Sequence, residues 1–525
     1  MLRQEGTEFW HEVATLEQLD VGDRIVIKVK NRQIAVFRTD DDFFAINNRC
    51  PHEGYPLSEG TLKDGCRLAC NWHGWTFDLK SGEALQGRDA VKTYPVKTEG
   101  QTVLIKIVPP DMQIVRKTAM HDFEEAFEEH DYERMARSLC RYEEAEGQLE
   151  DVAINVLKSS LFALERGFGH AHAGLADWIS LAGEDASLRL VAFLEALGHF
   201  SWDSKFSQAP TALAAATEWN EDEFIVAIEA MDQTKALSLC RGAFVGGLEF
   251  SEIKALLLRQ NFTHYAGFGH PAIYLMKSEQ LLMRFGQVIE EELCLLLTRY
   301  WCLAAREDLI PEFKVFGDLL EREPVGDVAA LPEAGILSGI GTRKLLPLVD
   351  GSPESNFEKW EALLAASAVS MLRFDEELQN GVEQPIAKNV GWLDFTHVIT
   401  FSEALYFHAQ DDERLWRSGL LQQACFIGRN SGFLQSNVVP GFEVLDKYTF
   451  FSGQKAALFD MDEGEYIYSV HRLKMVTAVE KLVELVSQDT ADLLMTALNR
   501  YLSSALRQKH PARTIMQARA TVLRE

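Results

Sequence analysis

The stretch "CPHEGYPL" runs from Cys50 to Leu57, and "CNWHGW" runs from Cys70 to Trp75. Each offers one thiolate and one imidazole: Cys50 with His52, and Cys70 with His73. The spacing is C-x-H, seventeen residues, then C-x-x-H. Around these segments, between Phe9 and Val108, the chain reads as β. "RIVIKV", "QIAVFRT", "FFAIN", "RLACN" and "TVLIKI" are short branched or aromatic runs, separated by the turn signals "VGD", "KSG" and "TEG". The prediction is a small β domain, residues 1–108, that carries two metal-binding loops.

Two fillings suit such loops. One zinc could take all four ligands in a tetrahedron, although zinc ribbons favour C-x-x-C over C-x-H. A [2Fe–2S] cluster could place both cysteines on one iron and both histidines on the other, which raises its potential above that of all-cysteine clusters. The second arrangement is of the Rieske type. The segment resembles the Rieske ferredoxin family, in the compact soluble form also seen in nitrite reductase small subunits. Pro51 sits as in that family's first loop, and Trp72, Gly74 and Trp75 as in its second. The resemblance implies a [2Fe–2S] cluster on Cys50, His52, Cys70 and His73. The respiratory-complex form adds a disulfide between the loops. Tyr55 stands where its first extra cysteine would be, so no bridge is expected and Cys66 is read as a plain buried thiol.

The chain has 525 residues, more than one core usually organises. Its formal charge of −27 disfavours nucleic acid and membrane surfaces as partners. No apolar run has the length of a transmembrane helix. The start, "MLRQEGTEFWHEV", lacks a signal-peptide core, and eight scattered cysteines suit a reducing compartment, so a cytoplasmic location is expected.

After Val108 the polar "PPDMQIVRKT" reads as a linker, residues 109–118. From there to residue 525 the hydrophobic period changes to that of amphipathic helices. "DFEEAFEEHDYERMARSL", "EDEFIVAIEAM", "FEKWEALLAASAVSML" and "VTAVEKLVELV" all show it. A loop-rich interval is expected near Glu323–Pro353. The fold class is therefore a small β domain followed by a large all-α domain. "GFGHAHAGL" at Gly167–Leu175 is echoed by "GFGHPAIYL" at Gly267–Leu275, one hundred positions later. At the same offset Ser138-Leu139-Cys140-Arg141 matches Ser238-Leu239-Cys240-Arg241, Gly147 matches Gly247, Leu157 matches Leu257 and Phe162 matches Phe262. This predicts a duplicated helical unit, about 121–220 and 221–320, each copy placing a histidine at a helix start.

Weaker echoes follow at His397, in "DFTHVITFSEAL", and at His471, in "YSVHRLKMVTAVEKL". Four units would then aim His170, His270, His397 and His471 at a common centre. Imidazole suits iron, copper or zinc, and the neighbouring cluster favours iron. The helical part resembles the questin oxidase-like family, through "DFTHVITFSEAL", "THYAGFGHPAIYLMKSEQL" and "VHRLKMVTAVEKL". That resemblance implies an all-α oxygenase for polycyclic aromatic polyketides such as anthraquinones, with a mononuclear non-haem iron held mainly by histidines. Asn261, His264 and His270 imitate the iron site of ordinary Rieske oxygenases, but the aspartate between Asn261 and His264 is missing and the surroundings are helical. An all-histidine site would gain from an anion. Lys455, as a carbamate, is one source; Asp460 or Glu465 is a simpler one. His264 and His172 are candidate acid–base groups as well as packing residues. His121, His130, His199, His408 and His510 carry no readable signal.

The expected function is an iron-dependent oxygenase. An external NAD(P)H-dependent reductase or ferredoxin would feed the cluster, and the cluster would feed a histidine-bound iron that activates dioxygen on a small aromatic or apolar substrate. Catalytic roles fall to His264 and Lys455. An intramolecular path too long for electron transfer would imply a head-to-tail homo-oligomer. One rival is an electron carrier or redox sensor whose helical repeats only dock to a partner. A diiron oxidase is weaker, because no helix shows the Glu-x-x-His pairs such bundles use.

Overall fold

The structure is a computed structural model that describes residues 2–5, 8–29, 31–40, 42–63, 66–183, 185–207, 213–323, 329–383, 385–506 and 509–524. The chain divides into two units, Met1–Ile114 and Val115–Glu525.

Among its described residues the first unit has three four-stranded sheets. Two of them form the frame. In one, Glu8–Thr15 and Thr102–Lys106 pair at the centre; in the other, Arg32–Arg38 lies between Arg24–Val29 and Phe43–Asn47. Arg24–Val29 alternates exposed and half-buried residues, as a strand with one solvated face does. The third sheet holds Thr61–Lys63, Arg67–Ala69, Thr76–Asp78 and Ala84–Gln86, all short and weakly patterned. Ala69 pairs with Thr76, so Cys70–Trp75 is the loop of a hairpin. Leu57, Leu68, Phe77, Leu79 and Val91 pack beneath it, in the same apolar cluster as Cys50 and Cys70.

The second unit is helical; among its described residues the only β pairing is a bridge between Phe374 and Leu434. The expected linker is mostly helix. Asp111 accepts hydrogen bonds from the backbone N–H groups of Gln113 and Ile114, and the helix Met112–Glu129 starts at once. The run "DFEEAFEEHDYERMARSL" is two helices, not one. His130 turns left-handed, at φ 55°, and Asp131 caps Tyr132–Glu144 through the N–H of Arg134. The loop-rich interval holds a helix, Thr342–Gly351; its residues 324–328 lie outside the described ones.

Helix boundaries recur between the two segments in a different register from the one the sequence suggests. Tyr132–Glu144 corresponds to Gln233–Val245, and Leu149–Ala163 to Phe250–Phe262, each starting 101 residues apart. Burial decides this: Phe162 is 50% exposed and Phe262 is 3% exposed, so Leu161 is the equivalent of Phe262. Left-handed Glu146 likewise answers Gly247, not Gly147. One extra residue before Gly167 restores the offset of one hundred at His170 and His270. The four helices His170–Ala182, His270–Phe285, Trp392–Ala409 and Tyr466–Leu482 then close a ring. The first packs on the second, the second on the third, the third on the fourth, and the fourth on the first.

Candidate metal centres

In the first unit the two loops have the same backbone design. Cys50 N–H donates to the carbonyl of Tyr55, and Gly54 N–H returns to the carbonyl of Cys50. Cys70 N–H donates to Trp75, and Gly74 N–H returns to Cys70. Gly54 and Gly74 are both left-handed, at φ 73° and 76°, which explains a glycine four residues after each cysteine. These turns bring His52 Nδ1 to 3.1 Å from His73 Nδ1. The two thiols are buried, and burial pushes the Cys50 thiol up to about 11, with Cys70 beside it adding to the rise. Two adjacent buried thiols would be costly to ionise alone. Two buried thiols and two imidazoles brought together in this way are a donor set that fits a [2Fe–2S] cluster.

The imidazoles stay accessible at 29% and 42% exposure, while the thiols face the core. Trp75 stacks on His52, at 4.9 Å and 16°. Trp72 is 60% exposed, lies flat against Tyr55, and donates its indole N–H to Glu53. The Glu53 carboxylate sits 3.9 Å from His52 and 3.8 Å from His73. Tyr55 thus fills the position where a bridging cysteine was excluded. Cys66 is only partly buried, and its thiol points to Asp78.

In the second unit the helix ring brings together the four histidines that the repeats single out. His270 Nε2 lies 3.1 Å from both His170 Nε2 and His397 Nε2, and His397 Nε2 lies 3.5 Å from His471 Nε2. The His170 and His471 rings are 4.9 Å apart. The frames differ, however. His170 and His270 are first residues of their helices, whereas His397 and His471 are each sixth. The latter two bond through Nδ1 to the carbonyl four residues back, Leu393 for His397 and Ile467 for His471. His270 Nδ1 bonds to the Gly267 carbonyl at 2.6 Å, where the Gly-Phe-Gly turn presents it. His170 Nδ1 meets the Tyr274 hydroxyl at 3.4 Å.

A ring N–H given to a carbonyl leaves Nε2 as a bare lone pair. Burial holds all four imidazoles well below their usual range; the charge of Lys474 adds to this at all four, and neighbouring histidines add to it at His170, His270 and His471. His270 and His397, both with Nδ1 on a carbonyl, aim bare lone pairs at each other at 3.1 Å, which repel unless a cation lies between them. Two nitrogens about 2.1 Å from one ion stand about 3.0 Å apart at a right angle and about 3.4 Å at the tetrahedral angle. The 3.1 Å separations among His170, His270 and His397 fall in that range, so these three residues fit a mononuclear metal, with His471 3.5 Å from His397 beside them.

Further along the same helices lies a layer of charge: Asp177, Lys277, Glu403 and Lys474, one from each. Lys277 Nζ binds Asp177 at 2.6 Å with both side chains 2% exposed. Glu403 binds Lys481 at 2.7 Å. The Lys474 amine is buried and has no hydrogen-bond partner among the described residues. Burial pulls it down to about 8. Its charge bears on all four histidines.

Several expected site residues lie elsewhere. Lys455 is 38% exposed and paired with Glu480 at 2.7 Å, so it is a surface ion-pair residue and Lys474 is the lysine at the centre. Asp460 and Glu465 are exposed. Both His264 nitrogens are taken up, Nδ1 by Asp308 and Arg306, Nε2 by Glu229. Burial opposes its protonation, but the two carboxylates outweigh it and raise its pKa. His264 is thus tied into an ion network rather than free as a catalytic base. His172 caps its helix at Gly169 and meets Ser160. Sequence reading missed Lys474 and the charge layer, although Asp177 and Lys277 stand at the same offset of one hundred as His170 and His270.

A cleft of about 1190 Å³, open to solvent, reaches His170 and His270. Phe168, Tyr274, Tyr300 and Leu303 give it apolar and aromatic walls, and Asp203 and Glu307 are acidic groups within it. His397 and His471 are buried behind.

The Rieske [2Fe-2S] domain family matches residues 9–97. The ferredoxin component of the naphthalene 1,2-dioxygenase/salicylate 5-hydroxylase systems of Ralstonia sp is 34% identical over 104 residues, 19% of this chain and 98% of that protein. The 3-phenylpropionate/cinnamic acid dioxygenase ferredoxin subunit of Escherichia coli K12 is 41% identical over 76 residues, 14% of this chain and 72% of that one. Among solved structures, the ferredoxin of carbazole 1,9a-dioxygenase from Nocardioides aromaticivorans IC177 is 30% identical, covering 20% of this chain and 100% of that one at a TM-score of 0.18.

Proposed function

The chain belongs to the Rieske [2Fe–2S] domain family through its residues 9–97, and from that premise we propose that the whole chain is an oxygenase with its own ferredoxin module. In this reading Cys50, His52, Cys70 and His73 hold the electron-relaying cluster, and His170, His270, His397 and His471 hold an iron that supplies one-electron chemistry with dioxygen. The observation that carries it is the convergence of His170, His270 and His397, with His471 beside them, and the backbone carbonyls that set the tautomers of His270, His397 and His471. The resemblance of the helical unit to questin oxidase-like proteins agrees with it.

Each remaining residue has work to do in that scheme. The backbone carbonyls of Gly267, Leu393 and Ile467 keep three imidazoles in the metal-binding tautomer. Lys474 takes the part that sequence reasoning gave Lys455. Its amine is neutral above about pH 8 and can add carbon dioxide as a carbamate, releasing a proton, to give the site one anion. The cleft admits a flat aromatic or apolar substrate to the His170–His270 face and excludes it from the His397–His471 side. The exposed His52 and His73 edge accepts electrons from a separate reductase or ferredoxin. Eight free thiols suit a reducing compartment such as the cytoplasm.

Iron and acid-labile sulfide, measured on full-length protein purified without oxygen, test this. The expected result is about three irons and two sulfides per chain, a cluster plus one further ion. Two irons with two sulfides, and no other metal, would overturn the oxygenase. It would favour a second reading, an electron carrier with a helical docking unit, for which the ferredoxin relatives speak.

A further inference from the structure

The helix Ala186–Ser204 carries Glu195, His199 and Asp203 at four-residue intervals, which stacks them along one face. The His199 ring is 5% exposed, lies flat against Tyr466 at 5.3 Å and 12°, and presents Nε2 to Asp203 at 3.5 Å. Asp203 reaches the wall of the cleft that leads to His170 and His270. Burial drives the two groups apart in acidity. It pushes the Asp203 carboxyl up to about 7, and it pulls the His199 imidazole down to about 3, with the Lys474 charge adding to the fall. The pair therefore sits as a neutral imidazole behind a carboxyl that can gain or lose a proton near neutrality. The other ionisable groups around the cleft are Tyr274 and Tyr300, held protonated by burial, and Glu165, Arg166 and Glu307.

The Asp203 carboxyl is 37% exposed on the open side of a cleft with aromatic walls, where it can accept a hydrogen bond from a ligand. A plain arene gives it nothing to bind. A phenol does: its hydroxyl donates to the carboxylate, and its acidity, with a pKa of about 10 and lower when conjugated to a carbonyl, is close enough for proton transfer. We propose that Asp203, backed by His199, is the proton acceptor for a hydroxylated aromatic substrate bound in this cleft; this rests on the aromatic-substrate reading above. The phenol O–H bond breaks, its electron pair stays on the phenolate oxygen, and a new O–H bond forms on the Asp203 carboxylate. No oxidant takes part in this step. The product is an electron-rich phenolate ring in the cleft that reaches His170 and His270.

The test uses iron-loaded, full-length protein without oxygen, and 2-hydroxyanthraquinone, whose phenolate absorbs at longer wavelength than its phenol. At a pH one unit below the free ligand's own transition, the wild type should bind it largely as phenolate. Asp203→Asn should still bind it, with the phenolate fraction reduced about ten-fold, and Asp203→Glu should restore most of it. In the wild type the band should fade as the pH is lowered through about 7, because the acceptor is then already protonated. This pH profile needs no variant and so stands even if Asp203→Asn fails to fold. An unchanged phenolate fraction in Asp203→Asn, or a wild-type profile equal to that of the free ligand, would overturn the proposal and leave the substrate class standing. Failure of the wild type to bind the probe would sink the aromatic-substrate reading, and the proposal with it.

Discussion

The two histidine clusters use opposite ends of the same ring. His52 and His73 approach through Nδ1 at 3.1 Å, from loops, with part of each imidazole in water. His270 and His397 approach through Nε2 at the same 3.1 Å, from helices, with Nδ1 tied to backbone carbonyls. Nδ1 is the nitrogen nearer the main chain, so a loop that binds through it can turn the other edge of the ring outward. Nε2 is the far nitrogen, so a helix that binds through it projects the ring to the bundle axis. The first geometry suits a centre that trades electrons with a visiting partner. The second suits a centre that must be shielded from everything but the contents of one cleft.

Removing single ligands tests the contrast most severely. His397→Ala should lose about one iron per chain and all oxygenase turnover while the cluster's two irons and its spectrum remain. Cys70→Ser should do the reverse, losing the cluster and sulfide but keeping the third iron. Metal analysis with electron paramagnetic resonance on both variants checks it; loss of all iron from either one would mean that the two centres are not independent. Lys474→Met should keep the cluster and abolish any gain in third-iron retention from added bicarbonate.

The two centres also differ in how legible they were. The loop cluster was the easier to read, because its two cysteines and two histidines sit in two short runs, each cysteine with its histidine close behind. Its backbone logic was hidden only in part, since glycines 54 and 74 both follow a cysteine by four residues. The helical centre was legible as four histidines but not as a geometry. A gapless offset of one hundred aligned Phe162 with Phe262, although one is solvated and the other is core. One inserted residue defeats such a comparison, whereas burial periodicity survives it. The lysine was misplaced for a related reason. Lys455 and Lys474 look alike in sequence, and only the packing of the Tyr466–Leu482 helix decides which amine is buried.

Stability gives a smaller contrast. The helical centre stands on a layer of buried charge, and the loop centre does not. Lys277→Met leaves Asp177 charged and without its lysine at 2% exposure, which should cost about 3–5 kcal/mol. The double variant Asp177→Leu/Lys277→Met should recover most of that loss, because replacing both partners removes the uncompensated charge. Denaturant unfolding followed by helical circular dichroism measures both, and the N-terminal unit should unfold as before. A double variant no better than the single one would show that the layer acts as a network of all four charges rather than as a pair.

The finest difference is electrostatic. The loop centre has a carboxylate beside its histidines, Glu53 at 3.8–3.9 Å, and the helical centre has a lysine instead. An anion there favours the oxidised, more positive form of whatever the imidazoles hold, so it lowers the reduction potential. Unit charges 4 Å apart in water interact by about 1 kcal/mol, and Glu53 is more than half exposed. Glu53→Gln should therefore raise the cluster's potential by no more than about 40 mV, with less effect at high salt. Trp72→Phe also breaks the indole bond to Glu53 but keeps the charge, so it should shift the potential far less. Protein-film voltammetry on the two variants separates charge from position. Equal shifts would mean that the indole bond, and not the carboxylate's charge, sets the potential at this edge.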